Sequence, residues 1–420
     1  MSHQEALLRD LLRTVWEGNA FYQRKMRANG IEGPEIEPGE FFASFPLTTK
    51  AELVGDQDRH PPYGTNLSFA MSEYTRYWQT SGTSTAPIRW LDTRQSLNWM
   101  LDCWDYMFAA MGVTSRDRVL AAFSFGPFLG FWTAYESASR LGCLCLPGGG
   151  MSSEARLRML ADNEVSVVLC TPTYAMRLGE VARKAGSSGL TSSVRYLIVA
   201  GEPGGSIPAT RKRLGEMWPG ATVFDQYGMT EIGPAAYQRP GEPDTLRIVG
   251  SGYIAEIIDP ATLRPVGPGG TGELVLTNLG RLGSPLLRYR TGDLVRRPEG
   301  PAPSYGECAD LALPGGIIGR ADDMVVVRGV NVYPSAVDAL LHGFPEVTEF
   351  RVLHRAAGPL SGLEIEVEFG QLDGAAGEKA AEISSALRVS LSLRIPVKPV
   401  PQGSLPRFEM KARRWMRCDS

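Results

Sequence analysis

The 420-residue chain has few histidines, no cysteine framework, little net charge and no long apolar run. Its hydrophobic stretches fall short of the ~20 residues that a membrane-spanning helix needs, so no span is expected. The four histidines (His3, His60, His342 and His354) are scattered, which leaves neither a zinc cluster nor a Ser-His-Asp triad to be read. Cys103, Cys143, Cys145, Cys170, Cys308 and Cys418 show no paired spacing. Three of them, Cys143, Cys145 and Cys170, sit in apolar, strand-like runs and read as buried reduced thiols. A formal net charge of −3 gives no reason to expect nucleic acid or an anionic membrane as partner. The opening MSHQEALLRDLLRTVW reads as a charged amphipathic helix rather than a signal peptide, and a cytoplasmic protein is expected.

What is present is an ordinary globular balance, 43% hydrophobic and 21% charged, in a chain longer than one core normally holds. Two or more domains are expected. Between residues 119 and 225, short β-rich runs (RVLAAFSF, GCLCLP, VSVVLC, RYLIVAG, ATVFDQYG) alternate with helical segments ended by glycine. That alternation predicts βαβ units and a parallel sheet. From about 246 to 297 the pattern changes to short strands and Gly/Pro turns, predicting a β-rich subdomain such as a small barrel. Residues 298–316 read as loop. Beyond them an α+β unit is expected: a helix from about Pro334, strands near 347–355 and 363–370, a helix near 374–393 and a basic tail. The predicted fold class is α/β: a large N-terminal domain (1–321) and a small, mobile α+β C-terminal domain (322–420), hinged near Asp322.

Four stretches carry candidate chemistry. WQTSGTSTAP (78–87) crowds hydroxyls around a single glycine, Gly82, in the manner of a phosphate-gripping loop but without a lysine. FDQYGMTEIGP (224–234) ends a strand in an aromatic, a glycine, a hydroxyl and a carboxylate, where open α/β sheets bind ligands. There Tyr227 can stack on a base, Thr230 can contact a phosphate oxygen and Glu231 can hold Mg²⁺. In RYRTGDL (288–294) Asp293 suits ribose hydroxyls, with Arg288 and Arg290 to counter phosphate charge. The fourth is GRADDMVVVRGVNVYP (319–334), followed downstream by SLPRFEMKARR (404–414). Taken singly, each stretch also fits a turn, a surface ion-pair cluster or a solvated tail.

In this order and spacing the stretches resemble the adenylate-forming enzymes, within them the phenylacetate-CoA ligase-like branch. NAFYQRKMRANGI, FPLTTKAEL, AGEPGG and RGVNVYPSAVDALL extend the resemblance over nearly the whole chain. It implies that Ser81, Gly82, Thr83 and Ser84 grip the β- and γ-phosphates of ATP. Thr85 and Ala86 stand where the family usually has a second glycine and often a lysine, which predicts a stiffer, less basic loop and weaker ATP binding. The resemblance further implies that Glu231 holds Mg²⁺, Thr230 contacts the α-phosphate, and Asp293 binds ribose, with Arg320 near ribose and phosphate. Glu202, Pro203, Asp225, Gln226, Tyr227 and Gly228 complete the ATP and AMP contacts. Lys411 would bridge the acid's carboxylate and the nucleotide oxygens, Asp322 would be the hinge, and Gly329 would border the thiol's tunnel.

The implied substrate is an aromatic monoacid. Phe125 and Phe128 match the branch's ring-stacking positions, and Gly201, Glu202 and Pro203, with Tyr227 and Gly228, match its pocket wall. No second basic residue marks a further carboxylate. Because AAYQRPGEPDTLRIVGSGYIAE holds neither cysteine nor histidine, no zinc is expected. The implied acceptor is CoA; a carrier protein or an amine, as in natural-product biosynthesis (secondary metabolism), and a non-catalytic nucleotide-binding homologue remain open alternatives. A homodimer is compatible with the branch.

Overall fold

A computed structural model describes the chain except residues 1, 81–86, 187, 302, 304–306, 322–324, 328–329, 356–361, 371–373, 392, 409–411 and 419–420. The apolar runs of the first half form strands because they are short, largely aliphatic and bounded by helices with local start or stop signals. Thr171 caps the helix Pro172–Lys184 and Ser152 caps Ser153–Asp162, while Gly142 closes Trp132–Leu141 in the left-handed conformation. All five expected strands are present: Arg118–Ala121, Leu144–Pro147, Val167–Cys170, Tyr196–Ala200 and Thr222–Met229. They pair in parallel, with a helix in each connection. Val167–Cys170, covered on both faces, is buried at every position.

The sheet continues beyond the parallel wing. Gly233–Tyr237, Thr245–Ile248 and Leu311–Pro314 add on in antiparallel fashion, making eight strands among the described residues. Two expectations are corrected here. The stretch read as loop supplies the edge strand Leu311–Pro314, which its flanking prolines and glycines conceal. The β-rich segment is an open four-stranded sheet, not a small barrel: Tyr253–Ile258, Thr271–Asn278, Tyr289–Arg296 and Gly319–Arg320 pair in that order, and the outer two do not meet.

A separate C-terminal sheet follows, with Val397–Val400, Gly362–Phe369, Val347–Arg355 and Trp415–Cys418 side by side. The helices Pro334–His342 and Ala376–Leu391 complete its core around Val337, Leu341, Phe350, Ile365 and Ile383. The basic tail is therefore partly a strand, since Trp415–Cys418 pairs in parallel with Val352–Arg355. At the other end of the chain, Ser2 and Thr49 form capping boxes with Glu5 and Glu52, starting the helices His3–Gly18 and Lys50–Arg59. The cysteines are free, with Cys103, Cys143 and Cys170 buried. Among the described residues no helix is long and apolar enough to cross a membrane.

Candidate active site

Two neighbouring parallel strands run out at the same edge. Tyr196–Ala200 ends at Gly201, whose φ of +93° turns the chain, and Thr222–Met229 ends just before Thr230. Such carboxyl-terminal edges are where open α/β sheets receive ligands. Gly228 is needed for close approach, because a Cβ there would lie 2.7 Å from the Gly233 carbonyl oxygen. Tyr227 donates its hydroxyl to Asp293 Oδ2 at 2.6 Å, and Arg320 Nη1 lies 3.3 Å from Asp293 Oδ1. Cross-strand register sets the second contact, since Asp293 and Arg320 are partners in the four-stranded sheet. Burial, then the Asp293 charge, holds the Tyr227 phenol well above its usual pKa, so it stays a donor. Three residues widely separated in sequence are thereby brought together. Asp225 and Gln226 lie buried just before them, and burial raises the Asp225 carboxyl to about 6 although Ser206 donates to it at 2.6 Å.

The Thr230–Glu231 corner is held from beneath. Arg281 Nη1 donates to both of its carbonyl oxygens at 2.8 Å. Arg281 and Asp92 are each fully buried and form a bidentate pair at 2.8 and 2.6 Å, and Trp78 Nε1 adds a third bond to Asp92 at 2.8 Å. Glu231 is 3% exposed, and its Oε1 accepts no hydrogen bond among the described residues. Lys50 Nζ stands 3.4 Å from that oxygen. Sequence reasoning missed Lys50, Arg281 and Asp92. Lys50 was within reach, as the residue after the cap Thr49, whereas nothing in NLGRLGSP marks Arg281. Arg288 and Arg290, expected to counter phosphate charge, are instead occupied: Arg288 forks Glu256 at 2.9 and 2.7 Å, and Arg290 holds Glu273 at 2.9 and 2.6 Å.

On the other flank an aromatic cluster follows the strand Arg118–Ala121. The Phe125 ring lies 4.5 Å from Phe123, 4.7 Å from Trp132 and 5.5 Å from Tyr135, the last two edge-on. Phe128 lies over Gly126 and Gly130 instead of joining that group. This loop is tied to the hairpin Tyr74–Gln79/Arg89–Thr93, since Gln79 N–H donates to the Pro127 carbonyl at 2.6 Å. Thr80 and Ile88 exchange bonds across the hairpin's mouth at 2.9 and 3.0 Å. Ser81, Gly82, Thr83 and Ser84 lie outside the described residues, as do Asp322, Gly329 and Lys411.

Gly201 and Pro203 are exposed, and Glu202 between them is half-buried. The Glu202 carboxylate takes the N–H of Thr173 at 2.8 Å and that of Ala412, beside Lys411 in the chain, at 2.9 Å. Among the described residues no group of three His, Cys, Asp or Glu side chains is placed to hold a metal.

Residues 80–280 match the family model for AMP-binding enzymes, and 329–417 match that for the AMP-binding enzyme C-terminal domain. The phenylacetate-coenzyme A ligase of Thermus thermophilus is 32% identical over 374 residues, covering 88% of this chain and 81% of that protein. Among solved structures, 2-hydroxyisobutyryl-CoA ligase in the postadenylation state with R3-HIB-AMP has a TM-score of 0.90 at 28% identity, covering 98% of this chain and 88% of that one. The same ligase with 2-HIB-AMP and CoA in the thioesterification state, at 28% identity and with 99% and 88% covered, has a TM-score of 0.70. Identity is the same in both, so the difference is one of arrangement, and the present structure is nearer the postadenylation form. The chain belongs to the AMP-binding, adenylate-forming enzymes, in their phenylacetate-CoA ligase-like branch, and is an AMP-forming acid–thiol ligase working through an acyl-adenylate.

Proposed function

We propose that this ligase activates an aromatic monocarboxylic acid and passes the acyl group to the thiol of CoA. The observation that carries the aromatic assignment is the ring cluster around Phe125, in the loop that leaves the strand Arg118–Ala121 at the carboxyl-terminal edge of the parallel sheet. Aromatic rings pack best against other rings in offset or edge-on geometry, which this cluster offers. Fold alone does not choose the acid, because the structural neighbour is named for a hydroxylated aliphatic one.

In the first half-reaction the acid's carboxylate attacks the α-phosphorus of ATP and pyrophosphate leaves. In the second, a thiol attacks the acyl carbon and AMP leaves. The first step joins two anions, so charge must be neutralised and the reactants held in line. In this reading the Tyr227 ring stacks on adenine, Asp293 accepts from the ribose hydroxyls, Arg320 faces ribose and phosphate, and Thr230 contacts the α-phosphate. Ser81 to Ser84 hold the outer phosphates, and Lys411 bridges acid and nucleotide.

The buried Glu231 Oε1, which accepts no hydrogen bond among the described residues and has only Lys50 Nζ facing it at 3.4 Å, is the kind of acceptor a hard cation uses, so Glu231 fits Mg²⁺, which would neutralise phosphate charge there. Lys50, facing the same carboxylate, adds a second positive group to that corner. For the second step the reading takes 322–420 as a domain that turns about Asp322, with Gly329 bordering the thiol's path.

A pyrophosphate-exchange assay across aryl and aliphatic acids tests the substrate. Exchange strongest with aryl acids is expected; exchange strongest with aliphatic acids sinks the aromatic assignment, and exchange with none supports a non-catalytic homologue. Mass spectrometry of reactions supplied with CoA, a carrier-protein phosphopantetheine or an amine then identifies the acceptor.

A further inference from the structure

Both oxygens of Glu202 are engaged by backbone donors, and the two donors come from opposite sides of the domain junction. Thr173 occupies the second position of the helix Pro172–Lys184, where backbone N–H groups have no partner within the helix. A carboxylate is favoured at such an end by those donors and by the helix dipole. The large domain therefore fixes Glu202 by itself and presents its second oxygen outward. Ala412 N–H occupies that oxygen at 2.9 Å.

The surrounding contacts join the same two bodies. Arg414, 8% exposed, pairs with Glu349 of the C-terminal sheet at 2.6 Å and also donates to Thr173 Oγ1 at 3.4 Å. Thr210 Oγ1 and His342 Nδ1 lie 2.9 Å apart and are buried. The higher TM-score with the postadenylation state puts the chain as a whole, with this junction closed, nearer that arrangement than the thioesterification one.

We infer that Glu202 is a positioning residue, a latch on the backbone at Ala412 that registers the tail carrying Lys411 for adenylate formation and is released for thiol transfer. This rests on the proposed role of Lys411 in the first half-reaction. It also reassigns Glu202, expected from the family pattern to contact ATP. With both oxygens occupied, its segment has mainly the backbone of Gly201 to Pro203 to offer a nucleotide.

Glu202→Gln tests the latch, because an amide has one oxygen for two N–H donors and must forfeit a bond. Hydrogen exchange on the full, ligand-free chain should show the Ala412 amide losing protection roughly tenfold, about the worth of one hydrogen bond to a charged group. The kcat of pyrophosphate exchange should fall by a similar factor, again roughly tenfold, with the KM for ATP little changed. Thioester formation from a supplied acyl-adenylate and CoA should lose much less. Added to Lys411→Ala, the substitution should cost little further, because it acts through the tail.

Unchanged exchange protection overturns the latch, as does a raised KM for ATP at constant kcat or an equal loss in both half-reactions. If the variant does not fold, Ala412→Pro removes the same N–H from the other side and must give the same split between the two half-reactions. Should the wild-type chain exchange no pyrophosphate with any acid, the functional reading fails while the hydrogen-exchange result still decides the latch.

Discussion

Beneath Thr230 and Glu231 the large domain places a fully buried ion pair, Arg281 with Asp92, and bonds both carbonyls of the corner to it. Across the junction, the C-terminal segment is met by Ala412 on Glu202, Arg414 on Thr173 and His342 on Thr210. The first set cannot open without stranding a charge in the protein interior. The second consists of single hydrogen bonds that water can replace when the surfaces part. Such a division suits the proposed cycle, in which the nucleotide side stays preorganised while a smaller body changes places, since reorganisation during chemistry costs rate.

The sharpest way to break that comparison is Asp92→Ala. It leaves the Arg281 guanidinium buried without its carboxylate, a change that costs about 3–5 kcal/mol. Denaturant unfolding should show a loss of that order, and both half-reactions should fail together. A loss below ~1 kcal/mol, the scale of a surface pair, would mean that the corner is not anchored from below.

Lys411→Ala should come next in size and behave in the opposite way. A charged donor aimed at developing charge is worth ~3–4 kcal/mol, so pyrophosphate exchange should fall some hundredfold or more. Thioester formation from a supplied acyl-adenylate should survive, and a bulky residue at Gly329 should reverse the pattern. Unchanged exchange in Lys411→Ala would reduce the tail to a tail.

The two regions were also unequally legible. Parallel strands announce themselves as short apolar runs between capped helices, and YGMTE and RTGD carry recognisable residue types in order. Arg281 and Asp92 are 189 positions apart, and neither has a local pattern that signals the other. Trp415–Cys418 reads as part of a charged tail because WMRC shows no alternation; its partner strand, Val347–Arg355, decides the conformation. Tertiary partnering of this kind overrides local preference. The ion pairs of Arg288 and Arg290 were hidden for a similar reason, since their carboxylates come from other strands.

Phe125→Ala sharpens the comparison on the substrate side. If the Phe125 ring lines the acid's pocket, losing it removes about 1–3 kcal/mol of contact, and the KM for the acid should rise roughly tenfold or more. The KM for ATP should hardly move, because the proposed nucleotide groups lie on other strands. Equal changes in both would make Phe125 a core residue, held by Phe123, Trp132 and Tyr135 for stability alone.

The smallest effect concerns the junction itself. Thr210→Val deletes the hydroxyl facing His342 Nδ1, a bond worth about 1 kcal/mol, and should shift the docking balance roughly fivefold. Burial, reinforced by Arg414 and Arg213, holds the His342 imidazole well below its usual pKa, so it docks neutral. The docked arrangement thus binds fewer protons than a parted one. Docking should be unaffected above pH ~6.5 and weaken as the pH falls below it, where a freed imidazole would protonate. Desolvation raises the neighbouring Asp338 carboxyl to about 6, an effect of opposite sign over a lower range, and Glu349 lines the same junction. The difference between wild type and His342→Gln isolates the histidine. Followed by hydrogen exchange of the tail, that difference should widen from pH 7.5 to 5.5; a flat difference would leave His342 a packing residue and rest the junction on Glu202 and Arg414.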